Sequence, residues 1–274
     1  MLLPLVDAVV KLLSDQYTVL QLVWARCFLP FLLIVLIARI RHGSRCFAMG
    51  RPILLLGRGL LWVVSGLLFS TAIKFMPLAD AMAIVFFSAV VLILLSWLLL
   101  HERVTLRRWA AVGVGLGAIM IIIRPGDGGL NSGVLFALGA ASFYACYLVA
   151  TRLLGNSTPP LVLQTYELLA GILVLTPIMP FVWVSPALGD VGPLAGAAIL
   201  ACLGHMMIAR ALQSSDASLL APFLYSEIVM HVVLGYFVFG DFPDAWTWVG
   251  ILLIVAVGVY VSLEARGSEM QAVK

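Results

Sequence analysis

Six charged residues sit inside long apolar runs of this sequence: Asp7, Lys11, Arg26, Arg58, Glu167 and Glu227. Three are acidic and three basic. Each costs at least about 2.5–3.5 kcal/mol at the centre of a lone membrane helix, so each needs an interior position and a partner. Polar contacts inside a membrane average well under about 1 kcal/mol. Holding helices together is therefore a poor reason to keep six such residues, and all are candidates for substrate binding or ion coupling.

Their spacing narrows the chemistry. Asp7 and Lys11 lie four apart, on one helix face, as a structural pair or as a gating or substrate contact. Arg26 can hold a carboxylate or phosphate in a bidentate fork; the alternative is a direct Arg26–Glu167 bridge. Arg58, Trp62 and Ser65 share one helix face. That face makes either a cation–π platform for a planar, partly anionic ligand or a site from which Arg58 snorkels to the surface. Glu227 and His231 lie four apart and could exchange a proton as a cavity changes sides, or hydrogen-bond locally. His205 is a further candidate to join them. Tyr144, Tyr147 and Thr151 form a hydroxyl-bearing stripe suited to a wet aromatic cavity, with ordinary packing as the alternative. Pro222 is expected to hinge its helix just before Glu227. Cys27, Cys46, Cys146 and Cys202 are scattered without metal-ligand spacing. No catalytic motif, cofactor motif or metal site is readable.

The elements carrying these residues must be membrane helices. Of 274 residues, 63% are apolar and 11% charged, with a mean hydropathy of +1.14. A soluble domain carries about a quarter charged residues, so soluble enzymes, secreted domains and disordered chains are excluded. The net charge of +3 is too small to suggest nucleic-acid binding. The apolar runs give ten expected spans: 2–14, 17–38, 53–73, 78–100, 107–123, 130–154, 161–184, 192–212, 216–239 and 245–263. The first is short and carries Pro4 at what would be mid-membrane. This favours a natural start roughly ten residues upstream over a half-length helix.

Charge placement orients the spans. Eleven basic residues fall on one side, among them Arg39, Arg41, Arg45, Arg51, Arg103, Arg107 and Arg108. The other side has only Lys74 and Arg124, with six acids: Asp15, Asp80, Asp127, Asp190, Asp241 and Asp244. The basic side is expected to be cytoplasmic, with both termini on it.

The spans also repeat. Residues 72–109 align without a gap on 211–248, pairing Ala72 with Ala211, Glu102 with Asp241 and Trp109 with Trp248. Gly57 pairs with Gly196 at the same offset, and Arg26 with Glu167 at an offset two residues longer. The expected organisation is a first repeat over 1–124 and a second over 125–274, ending in a short cytoplasmic tail. With five helices each, the second repeat is inserted upside down relative to the first. Two interchangeable halves that can open to opposite sides are characteristic of secondary transporters. The fold class is an all-α membrane protein of ten transmembrane helices in two inverted five-helix repeats.

Three stretches carry a family resemblance: Ala72-Ile-Lys-Phe-Met-Pro-Leu-Ala, Leu98-Leu-Leu-His-Glu-Arg103, and Trp109 before Gly113, Gly115 and Gly117. On these the chain resembles the EamA-domain type of the drug/metabolite transporter superfamily. Asp7-Ala-Val-Val-Lys11, Trp24-Ala-Arg26 and Arg58-Gly59 further resemble its riboflavin and S-adenosylmethionine carriers. The resemblance implies alternating-access movement of a small organic metabolite, proton-coupled or by exchange. Riboflavin and nucleotide-like cofactors are among the candidate substrates. It implies no catalysis and no cofactor, and a bacterial inner membrane as the setting. The lipid bilayer and a small-molecule substrate are then the partners, with a homodimer left open and no nucleic acid. A channel, or an enzyme without a recognisable motif, is the alternative.

Overall fold

The computed structural model describes residues 2–42, 51–100, 106–123, 131–155, 158–214 and 227–272. Twelve helical segments carry these residues, with no strand among them: α1 (Leu3–Leu13), α2 (Val19–His42), α3 (Pro52–Phe75), α4 (Leu78–Val85), α5 (Ser88–Leu100), α6 (Leu106–Ile123), α7 (Ser132–Gly155), α8 (Pro160–Leu175), α9 (Met179–Val182), α10 (Leu188–Ser214), α11 (Glu227–Phe239) and α12 (Ala245–Ala272). Windows in α2, α3 and α7 are long and apolar enough to cross a membrane, and six shorter apolar helices accompany them.

Proline sets several boundaries. Pro4, Pro52 and Pro160 sit in the first turns of α1, α3 and α8, where a missing N–H costs nothing. Pro4 therefore opens α1 rather than interrupting it. The expected span 161–184 stops at Leu175 and continues as turns and the single-turn α9. Pro177 and Pro180 deprive that stretch of two donors, and its remaining bonds, such as Met179 N–H to Thr176 O, are the tighter three-residue kind. The span 78–100 is split at Phe86–Phe87, where Phe87 N–H bonds back only to Ile84 O. The last turn of α11 widens to π geometry over Gly235–Phe239 and ends on Gly240, whose φ of 73° is left-handed. That cap aims Asp241 back at the bundle, its N–H on Gly235 O.

α3 lies at the centre, packed on α7 and α8, while α2 packs on α8 and α10. α6 and α12 lie against each other. Of the three glycines that follow Trp109, Gly115 meets Val90, whereas Gly113 and Gly117 face open space. The largest apolar core joins α1, α4 and the ends of α3 and α6 to α7, α11 and α12. Each repeat thus contributes to one shared interior. Many outward residues are large and apolar, for example Ile53, Leu106, Leu188 and Phe237, as a lipid-facing surface requires.

Candidate functional site

The interior charges form three clusters, each crossing between the first five spans and the last five. In the first, Arg58 is 5% exposed and lies 3.0 Å from Glu167, itself 3% exposed. The Arg58 guanidinium also donates to Thr151 Oγ1 at 2.7 Å, the Leu163 carbonyl at 3.1 Å and the Tyr147 hydroxyl at 2.7 Å. Tyr147 in turn donates to Glu167 Oε2 at 2.9 Å. Gly59 makes this possible: a Cβ there would collide with Ala170 and the backbone of Tyr166 and Glu167. Arg58 therefore turns inward instead of snorkelling. Its cation–π partner is Tyr147, 4.5 Å from the ring centroid, rather than Trp62. Tyr144 stacks on Tyr147 at 5.6 Å.

The second cluster is centred on Asp7. Its Oδ1 accepts from Arg26 at 3.2 Å and its Oδ2 lies 3.3 Å from His231 Nε2. His231 is wholly buried, and its Nδ1 is 2.7 Å from the backbone carbonyl of Glu227. A carbonyl only accepts, so Nδ1 carries a hydrogen. Nε2 then faces a carboxylate, and that contact holds only if a further proton sits on Nε2 or on Oδ2. The expected Glu227–His231 side-chain pair is replaced by this backbone contact.

The third cluster ends the series. Lys11 leaves Asp7 and lies 3.0 Å from Asp241, donating also to the Met76 carbonyl at 3.2 Å. The i, i+4 rule pointed it at Asp7, but Asp7 is already taken by Arg26. Around this pair, Tyr17 donates to Asp190 at 2.6 Å and accepts from Ala187 N–H. The hydrogen bond to Asp190 pushes the Tyr17 phenol above its ordinary value, against the lowering effect of Ala187. Gln21 both donates to and accepts from the Val184 backbone. Lys74 donates to Ser14 O at 2.8 Å.

Between the first two clusters lies a cleft lined by Arg26 and Pro30 of α2, Trp62 of α3, Gln164 and Glu167 of α8, and Cys202 of α10. It has room for about one water molecule. Arg26 and Glu167 both face it without bridging each other. Pro30 lacks the N–H that would engage the Arg26 carbonyl one turn back. Gln164 and Pro30 were not singled out by sequence, although Gln164 stands three residues before Glu167 on the same face. Asp241 was read only as a loop acid. The backbone of His205 lies in α10, but its side chain lies outside the described residues, as does Pro222 entirely.

Residues 5–124 and 131–263 each match the family described as EamA-like transporter family. The pseudopaline exporter CntI of Pseudomonas aeruginosa is 30% identical over 95% of this chain and 92% of its own length. A riboflavin transporter of Vibrio cholerae is 29% identical over 68% of this chain and 63% of its own. An S-adenosylmethionine uptake transporter of Rickettsia prowazekii is 22% identical over 83% and 77%. A solved crystal structure aligns with 98% of this chain and 96% of its own at a TM-score of 0.67 and 20% identity. That likeness extends to the fold.

Proposed function

We propose, from the premise that this chain belongs to the EamA-like transporter family, that it is a secondary carrier moving a small organic metabolite by alternating access. The chain is a multi-pass membrane protein and not an enzyme, as the family and its named relatives require. The observation that carries the finer reading is the arrangement of ion pairs. A nearly closed cleft with a basic and an acidic side chain facing it lies among ion pairs that join the two halves. Such pairs can break and reform as the halves rock, which a fixed pore does not need. The relatives carry pseudopaline, riboflavin and S-adenosylmethionine, so an organic metabolite of that size range is the substrate class. We place both termini in the cytoplasm, because eleven basic residues lie on their side of the bundle and two on the other. The buried contact of His231 Nε2 with Asp7 Oδ2, at 3.3 Å, supports coupling to a proton gradient.

The test is transport by the purified protein in liposomes. Uptake of riboflavin, S-adenosylmethionine or an amino acid should saturate and accelerate when unlabelled solute is preloaded inside. Flux that rises without saturation and ignores preloading would make the protein a channel.

A further inference from the structure

We propose that residues 176–187, which join α8 to α10, form a lid over the outer end of the cleft, latched by Gln21. The carrier reading does not require such a lid, and its place at the outer end rests on the orientation proposed above.

This connection has little means of holding itself in place. Pro177, Pro180 and Pro186 remove three backbone donors. After the single turn of α9 the chain becomes extended at Trp183. Among the described residues, no backbone–backbone hydrogen bond ties 183–186 to the rest of the chain. Side chains of the first half do so instead. The Gln21 amide donates to Val184 O at 2.7 Å and accepts from Val184 N–H at 2.9 Å, as a neighbouring strand would. Tyr17 accepts from Ala187 N–H at 3.0 Å, and Trp24 donates to Thr176 Oγ1 at 2.9 Å. Trp183 meets Trp24 edge to face, with ring centroids 5.7 Å apart.

Beneath the connection, Met179 is 5% exposed and packs with Val23 of α2, Val63 of α3 and Leu175 of α8. Trp62 packs against the same group and also lines the cleft. At Gly171 a Cβ would collide with Cys27 and Val63, so the three helices are closed there too. Met179 therefore plugs the way out past Trp62. The cleft has room for about one water, so a solute needs this roof to move.

The connection can lift because so little would be lost. Hydrogen bonds between neutral groups contribute modestly, and one amide supplies two of them. When they part, water reaches Gln21 and both backbone groups of Val184, and no polar atom is stranded. The opposite face already suits the membrane surface. Phe181 is 86% exposed and Leu188 95%, with Trp183 between them. A lifted lid keeps that anchorage.

The experiment reads the lid without a substrate. Cys27, Cys46, Cys146 and Cys202 are replaced by serine in the full-length protein, and Met179→Cys is added. A membrane-impermeant maleimide is applied from outside. Gln21→Ala should speed labelling at position 179 about tenfold, the effect of losing two hydrogen bonds. Ile84→Cys, wholly buried in the main core, reports general loosening and should stay unlabelled. In a second arm, Gln21→Cys and Val184→Cys are bridged by a short, reducible methanethiosulfonate cross-linker. Counterflow of riboflavin, S-adenosylmethionine or an amino acid should stop on bridging and return on reduction. If the cysteine-free background fails to fold, hydrogen exchange in Gln21→Ala alone decides. The Val184 and Ala187 amides should exchange faster, with those of α4 unchanged. Equal labelling with and without Gln21→Ala, equal acceleration at Ile84→Cys, unchanged exchange at Val184, or undiminished flux in the bridged protein overturns the lid. Non-saturating flux in the unbridged protein would instead remove the carrier reading, and the lid would still stand or fall by labelling.

Discussion

His231 has no exposed surface, and its two ring nitrogens face the Glu227 carbonyl at 2.7 Å and Asp7 Oδ2 at 3.3 Å. Among the described residues, Asp7 from α1, Arg26 from α2 and Glu227 from the helix of His231 itself are the charged groups facing this point. An uncharged amide at position 231 can still donate to Asp7 but cannot gain or lose a proton. His231→Gln should therefore abolish stimulation of uptake by an imposed pH gradient. Counterflow should stay within about threefold of the unaltered rate, since exchange needs no net proton movement. Full gradient dependence in that variant would remove His231 as the proton site. Glu227→Gln, in contrast, keeps the carbonyl that His231 uses and should retain gradient dependence. At this scale the sequence identified the participants better than their pairings. Their place in apolar runs nominated Asp7, Lys11 and Glu227, and helical spacing added His231; Asp7 and His231 are buried and Lys11 and Glu227 half-buried. Spacing paired them locally, because a one-dimensional rule sees neighbours four residues away. The actual partners, Lys11 with Asp241 and Asp7 with His231, are separated by 230 and 224 residues.

The inward turn of Arg58 is a property of two helices rather than of one residue. α3 and α8 approach so closely at Gly59 that a methyl group there would meet the Glu167 Cα and the Tyr166 carbonyl. Backbone cannot rotate out of the way as a side chain can, so Gly59→Ala must push the helices apart. Overpacking of this kind costs about 1–3 kcal/mol. The Arg58–Glu167 contact, at 3.0 Å, lies one residue from the wedge and should lengthen with it. We expect a lower unfolding temperature in detergent and weaker substrate affinity together. An unchanged melting temperature would show that α3 and α8 have slack. The element boundaries were partly legible beforehand. Proline marked the starts of α3 and α8 and accounts for the early end of α8. The break at Phe86–Phe87 has no such marker, since neither glycine nor proline stands there. The internal repeat placed Arg26 opposite Glu167, and both do line one cleft. Gln164 escaped notice because an uncharged amide breaks an apolar run far less visibly than a carboxylate does.

Across the whole molecule, ion pairs of unequal burial join the two halves. The Arg58–Glu167 pair is 4% and 3% exposed, and removing one partner of such a pair typically costs about 3–5 kcal/mol. The Lys11–Asp241 pair is 14% and 37% exposed. Water screens it, and pairs of that kind contribute about 0–1 kcal/mol. The hydrogen bonds of Tyr17 to Asp190 and Gln21 to Val184 lie at the same end as Lys11 and reinforce it modestly. The Lys11 end should therefore part first; with both termini cytoplasmic, as proposed above, it is the outer end. Lys11→Ala removes the ion pair there while leaving Asp241 partly in water, so the fold should survive. The variant should then spend more time open to the outside. Cys202 lines the cleft and is 5% exposed, which makes it a native reporter. With the other three cysteines replaced by serine, a membrane-impermeant maleimide applied from outside should label Cys202 several-fold faster in Lys11→Ala than in its Lys11 parent. Arg58→Ala in the same background should not raise labelling from that side. Equal rates in Lys11→Ala and its parent would mean that the Lys11–Asp241 pair does not hold the outer end. Faster labelling in Arg58→Ala alone would reverse the order in which the two ends open.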